Sequence, residues 1–281
     1  MIDFHRMTPL RAFDLRSMRQ LDELLQEATT ETLGWRPEEW RERWRPSQFT
    51  DKTARPWCAP RTELLFDEWR ARREPSWLYS HPEYVMDPLA CGVMDLTPKN
   101  LREGSHYLAR EVLFDKSDDL ILADLGAGPG VTTVILAKTF PRATIHWVEI
   151  NNESRKLAEF FARRAGVFDR IVWGGPLLDE YDVVFALELV EHLWTGVSGI
   201  GDPFSSPYSD AIERTNAVVQ ATAWTAELGG WSTLGHFLEY EIDDVVVPVQ
   251  KAKRAFYAGM RKRHFELKFE GFNGTPGVWT K

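Results

Sequence analysis

The chain has almost no cysteine. Cys58 and Cys91 are its only two across 281 residues and lie far apart, which leaves neither a disulfide framework nor a cysteine-based zinc site. It has no long apolar run either. None approaches the roughly 20 residues that span a bilayer, and Met1-Ile-Asp-Phe-His-Arg-Met7 lacks the apolar centre of a signal peptide. Nor is there an excess of basic charge: the net charge is −8. That balance argues against broad affinity for nucleic acid, though it is compatible with a local basic face. Internal repeats and low-complexity tracts are also missing. These absences lead to the expectation of a soluble protein of a reducing compartment, the cytoplasm, with no membrane partner. Its oligomeric state is not written in the residues.

What is present divides the chain in two. Apolar residues make up 43%, enough for one large domain or a domain with an appendage. Residues 1–95 read as a helical appendage rich in tryptophan and arginine, a lid or substrate region. Trp35, Trp40, Trp44, Trp57, Trp69 and Trp77 all fall there. Large rings can fill the core of a region poor in aliphatics, or they can line a substrate wall. Asp14 is the expected cap of a helix carrying Leu15, Met18, Leu21, Leu25 and Ala28 on one side. Pro37 is placed for a helix start, and Thr62 for another.

From residue 96 the pattern alternates. A helix over 98–114 precedes strand 120–125, helix 131–140, strand 144–150, helix 153–165 and short strand 170–173. The apolar run 181–187 suits a strand buried on both sheet faces. A helix is expected over 210–228, a strand over 230–236 and a helix over 249–262. A hairpin turning at Asn273-Gly-Thr-Pro-Gly277 closes the chain. This alternation predicts an α/β domain.

Leu120-Ile-Leu-Ala-Asp-Leu-Gly-Ala-Gly-Pro-Gly-Val131 is the most informative segment. A buried strand ends there and turns sharply into a helix. Glycine permits the turn by accepting positive φ and leaving no Cβ between backbone and ligand. A second apolar run, 143–150, carries Glu149 near its end, and an ionised acid can accept both hydroxyls of a ribose diol. Together these describe a nucleoside-binding fold. A dinucleotide fingerprint would need glycine where Val131 stands, and Pro129 offers no N–H to a pyrophosphate. An NAD-dependent oxidoreductase is disfavoured on both counts.

The order Asp-x-Gly-x-Gly-x-Gly, with an acid ending the next strand, resembles the class I S-adenosylmethionine (SAM)-dependent methyltransferases, from about residue 98 onward. The resemblance implies a doubly wound, Rossmann-like sheet of seven strands, mostly parallel, with one antiparallel strand near an edge. It also implies SAM as cofactor. The glycine loop would pass under the methionine part, with Asp124 beside it and Glu149 on the ribose. The expected cofactor contacts are therefore Asp124, Leu125, Gly126, Ala127, Gly128, Glu149, Ile150 and Asn151. Leu177 would lie near adenine, and Leu187 would border the methyl group.

Glu188, Glu191 and His192 follow the apolar run 181–187, where ligands gather beyond the carboxyl ends of parallel strands. Three readings stay open for them. Glu191 or His192 could be a general base, since histidine titrates near neutrality. The three, with His236, could bind a divalent metal, as in enzymes that methylate the terminal 2′-hydroxyl of small RNAs. Or they could cap a helix and do nothing more, so no metal is assigned. The expected activity is methyl transfer to a small-molecule acceptor on oxygen or nitrogen. RNA ribose methylation and a non-catalytic SAM-binding scaffold are the alternatives. The loop 194–208 is expected to wall the acceptor site. Ser206-Pro207-Tyr208 stands too far from the central strand to be an amino-methylating motif. The basic residues of 251–263 read as a solvated helix face.

Overall fold

The computed structural model describes residues 7–39, 96–111, 119–187, 207–221, 249–271 and 276–281, with Leu189 and several residues between 65 and 89. Seven strands form one sheet in the order β3-β2-β1-β4-β5-β7-β6. They are β1 (Ile121–Leu125), β2 (Thr144–Val148), β3 (Ile171–Trp173), β4 (Tyr181–Leu187), β5 (Thr215–Ala221), β6 (Glu266–Glu270) and β7 (Gly277–Thr280). β7 runs antiparallel to both neighbours, and the other pairs are parallel. The chain leaves β1 for β2 on one side, while β4 lies on the other. That reversal of strand order is where doubly wound sheets open a ligand crevice.

Helices cover both faces. One face carries α1 (Pro9–Ala12), α2 (Met18–Leu33), α3 (Leu96–Glu111), α4 (Val131–Thr139) and α5 (Asn152–Arg164). Beneath the other lie α6 (Pro207–Glu213) and α7 (Val249–Lys262), with Phe256 and Tyr257 edge-on to Trp279. α4 is buried almost all round, because the sheet lies beneath it and α1 packs on its outside. A helix apolar on every side requires such a double cover. α5 is amphipathic instead: Leu157, Ala158, Phe161 and Ala162 face inward, with Arg155–Glu159 and Lys156–Glu153 ion pairs alongside.

The described residues before 95 pack into this architecture. α2 packs on α5, and Met7, Leu21, Leu25 and Trp35 belong to the same core as Val134 and Phe161. Val85 and Leu89 join that core as well. Asp14 does not cap α2. It sits at φ 56, where the chain reverses between α1 and α2, a conformation aspartate tolerates better than most residues. The cap is Ser17, which accepts from Gln20 N–H, and Met18 is left exposed.

The helix expected over 210–228 is also corrected. α6 ends at Glu213, and Thr215-Asn-Ala-Val-Val-Gln-Ala221 is strand β5. Short apolar runs do not distinguish helix from buried strand by periodicity. Its place between β4 and β7 makes it a strand, buried at every position but Asn216. The expected strand 230–236 lies outside the described residues. No described helix is long and apolar enough to cross a membrane.

Candidate functional site

The glycine turn is tied to the end of β2. Gly126, Gly128 and Gly130 all have positive φ, at 64, 50 and 78°. The N–H groups of Gly126 and Ala127 both donate to Val148 O, at 2.9 and 3.2 Å. Trp147 Nε1–H donates to Gly128 O at 3.1 Å. Gly128 N–H donates to Glu149 Oε2 at 2.8 Å, and Ile150 and Asn151 N–H donate to Glu149 Oε1 at 2.6 and 3.0 Å. Two of the glycines are also demanded by packing. A Cβ on Gly130 would lie 2.5 Å from Ala158 Cβ of α5, and one on Gly126 would lie 2.7 Å from Leu189 Cδ1. The latter contact brings the chain leaving β4 directly onto the turn.

Asp124, buried one residue before the end of β1, accepts from Thr133 Oγ1–H of α4 at 2.5 Å. Burial pushes its carboxyl up from 3.8 to about 7; the Thr133 bond opposes the rise, and the nearby charge of Glu149 adds to it. Beyond Glu149 the apolar side chain of Ile150 is 49% exposed. Asn151 caps α5, its Oδ1 accepting from Glu153 and Ser154 N–H, while its Nδ2–H donates to His81 O at 3.1 Å. A stretch of the N-terminal region therefore reaches the edge of the site.

The expected contacts meet unequal fates. Asp124, Gly126, Gly128, Glu149, Ile150 and Asn151 gather around the turn. Leu125 points into the core beneath the second face. Ala127 is buried, its N–H spent on Val148 O of β2 and its C=O on Gly130 N–H within the turn. Leu177 is half-buried, its carbonyl taking a bond from Arg214 at 3.3 Å. Leu187 is buried at the end of β4. Glu188, Glu191, His192 and His236 lie outside the described residues, as does loop 194–206. Among the described residues no cluster of His, Cys, Asp or Glu could hold a metal ion. On the basic helix α7, Lys253 pairs with Glu270, and Arg263 just beyond it pairs with Glu213.

Thr133, Trp147 and the His81 carbonyl were not legible as site groups. Nothing in the sequence separates Thr133 from Thr132 or Thr139, and Trp147 reads as core. Only the return of α4 over β1, and of the glycine turn over β2, gives them their partners.

No protein-family model matches the sequence, and no curated protein matches it in sequence. Solved structures do. A candidate O-methyltransferase of Nostoc punctiforme aligns with a TM-score of 0.50 at 14% identity, over 82% of this chain and 74% of that one. The pyocyanin biosynthetic protein PhzM aligns at 0.48 and 14% identity, over 83% and 71%. Ribosomal protein L11 methylase of Lactobacillus delbrueckii aligns at 0.36 and 17% identity, over 65% and 77%. The chain has the class I methyltransferase fold, with its seven-stranded, mostly parallel sheet.

Proposed function

We propose that the chain is a SAM-dependent methyltransferase whose acceptor is a small molecule methylated on oxygen or nitrogen. One observation carries this reading: the glycine turn closed on Glu149 at the switch point of the sheet, with half-exposed Ile150 beside it. A nucleoside without a pyrophosphate fits that arrangement. It needs an acid for its diol, an apolar surface for its base and a turn without side chains, and it makes no use of the N–H that Pro129 lacks.

Glu149 has a second task besides the ribose. A carboxylate offers about four acceptor positions, and three backbone N–H groups already use it. To hold the hydroxyls it gives up backbone bonds, that from Gly128 among them, which turns that N–H over to the ligand. Asp124 matches the positive charge of the cofactor: a cation nearby favours its ionised form and draws its raised pKa back down.

When bound, the sulfonium supplies a methyl group already activated for in-line displacement. The chain's own part is to position the acceptor, exclude water and take the acceptor's proton. Glu188, Glu191 and His192, next in sequence after β4, are the candidates for that last role, and the net charge of −8 favours a small acceptor over a nucleic acid. Calorimetric titration with SAM, S-adenosylhomocysteine and NAD tests the reading. Micromolar binding of the first two and none of NAD is expected; no heat at millimolar S-adenosylhomocysteine would refute it.

A further inference from the structure

The link from β3 to β4 is unusually short. Parallel strands ordinarily need a crossover of a dozen or more residues, with a helix in it. Here residues 174–180 pass from the edge strand β3 across β2 and β1 to reach β4. Seven extended residues reach at most about 25 Å, while three strand spacings alone take about 14 Å. A segment drawn out in this way cannot pair its own backbone groups, so those turned from solvent must be answered by the sheet or by side chains.

Two buried polar side chains do so. His146 on β2 and Tyr181 on β4 are both fully buried on an otherwise apolar sheet face. Leu178 N–H donates to Tyr181 Oη at 2.9 Å. Tyr181 Oη lies 2.5 Å from His146 Nδ1, and His146 Nε2 lies 3.2 Å from Gly174 O. Burial favours the neutral form of His146, and for a neutral ring one proton arrangement satisfies every contact. The tyrosine hydroxyl donates to Nδ1 of a neutral imidazole, whose Nε2–H donates to the carbonyl. The relay ties both ends of the segment 174–178 to the sheet through one pair. Gly174 and Gly175, at φ 63 and 88°, make the turn out of β3, beside the end of β2 that carries Glu149.

We propose that His146 and Tyr181 are positioning residues for the adenosine half of the cofactor, fixing the helix-free crossover 174–178 as a wall of its pocket. The inference rests on the cofactor reading above. In a sheet with a helical crossover the wall would be held by the helix's own bonds. Here its placement depends on these two side chains, which never touch the ligand, together with Arg214, whose Nη1–H donates to Leu177 O and Leu178 O at 3.3 and 3.1 Å.

The test compares binding of S-adenosylhomocysteine at pH 8 by the full-length chain and three variants, together with amide hydrogen exchange over 174–178. Tyr181→Phe and His146→Leu are expected to weaken binding about tenfold and to speed exchange in that segment, with β1 and β4 as protected as before. His146→Gln, which keeps one acceptor and one donor, is expected to bind within about twofold of the wild type. Should His146→Leu fail to fold, Tyr181→Phe carries the comparison, since it deletes a single atom. Wild-type affinity in a folded Tyr181→Phe would overturn the proposal, and so would a glutamine variant as weak as the leucine one. No binding by the wild type would instead refute the cofactor reading itself.

Discussion

Replacing Asp124 by asparagine should stabilise the protein in alkaline solution while weakening its hold on SAM. Asp124 is 2% exposed, and burial sets its carboxyl at about 7 against an ordinary 3.8. A group whose folded pKa is raised contributes stability that is complete below its unfolded pKa and is lost as pH rises through the folded one. For Asp124 the loss therefore develops between about pH 4 and pH 7 and persists above. At 1.36 kcal/mol per unit, a rise of about three units amounts to roughly 4 kcal/mol. Asparagine still accepts from Thr133 Oγ1–H, but it buries an unpartnered amide donor, costing about 1–3 kcal/mol. The net gain at pH 8 is then about 1–3 kcal/mol. At pH 5 the wild-type group is neutral when folded, and the advantage shrinks by about 2–3 kcal/mol. Urea unfolding of both proteins at pH 5 and 8, followed by tryptophan fluorescence, measures the difference. A stability gap that does not change between the two pH values would refute the raised pKa. In the same pair, wild-type SAM binding at pH 6 should release a proton, seen as buffer-dependent calorimetric heat, and Asp124→Asn should abolish that release.

Other perturbations follow from the same geometry. Gly130→Ala places a Cβ 2.5 Å from that of Ala158 at a φ of 78°; a loss of about 2–4 kcal/mol is expected in urea unfolding, and an unchanged midpoint would contradict the packing. Glu149→Gln removes the charge that accepts three N–H bonds and, in the proposed complex, the ribose diol. S-adenosylhomocysteine affinity should fall roughly a hundredfold by calorimetry. Burial lowers the pKa of His146 from 6.5, so stability should decline as pH falls below about 6.5, and His146→Gln should flatten that acid limb in thermal melts. Dialysis against a chelator should leave S-adenosylhomocysteine binding unchanged, because the described residues around the turn include no cluster of His, Cys, Asp and Glu suited to a metal ion.

The first four strands and their helices were readable because local pattern and tertiary demand agree there. β4 is apolar at nearly every position since both its faces are covered, and such a run has few other uses. β5 was misread for the opposite reason. Thr215 to Ala221 has the composition of either element, and neighbours on both sides decide the matter. The Asp14 cap failed because a chain reversal needed that residue in a left-handed conformation, leaving Ser17 to begin the helix. At the turn, glycine spacing and the following acid announced themselves. Leu125 and Ala127 did not show that their side chains would be lost to the core.

By itself the sequence determined the turn and its partner acid, since backbone freedom and negative charge belong to the residues wherever they stand. Tertiary structure decided which groups answer them. Thr133 on Asp124, Trp147 on Gly128 and the His146–Tyr181 relay under a taut crossover all join residues that come together only when strands align. Hydrogen bonds of that kind depend on distance and direction in space, which no local pattern encodes.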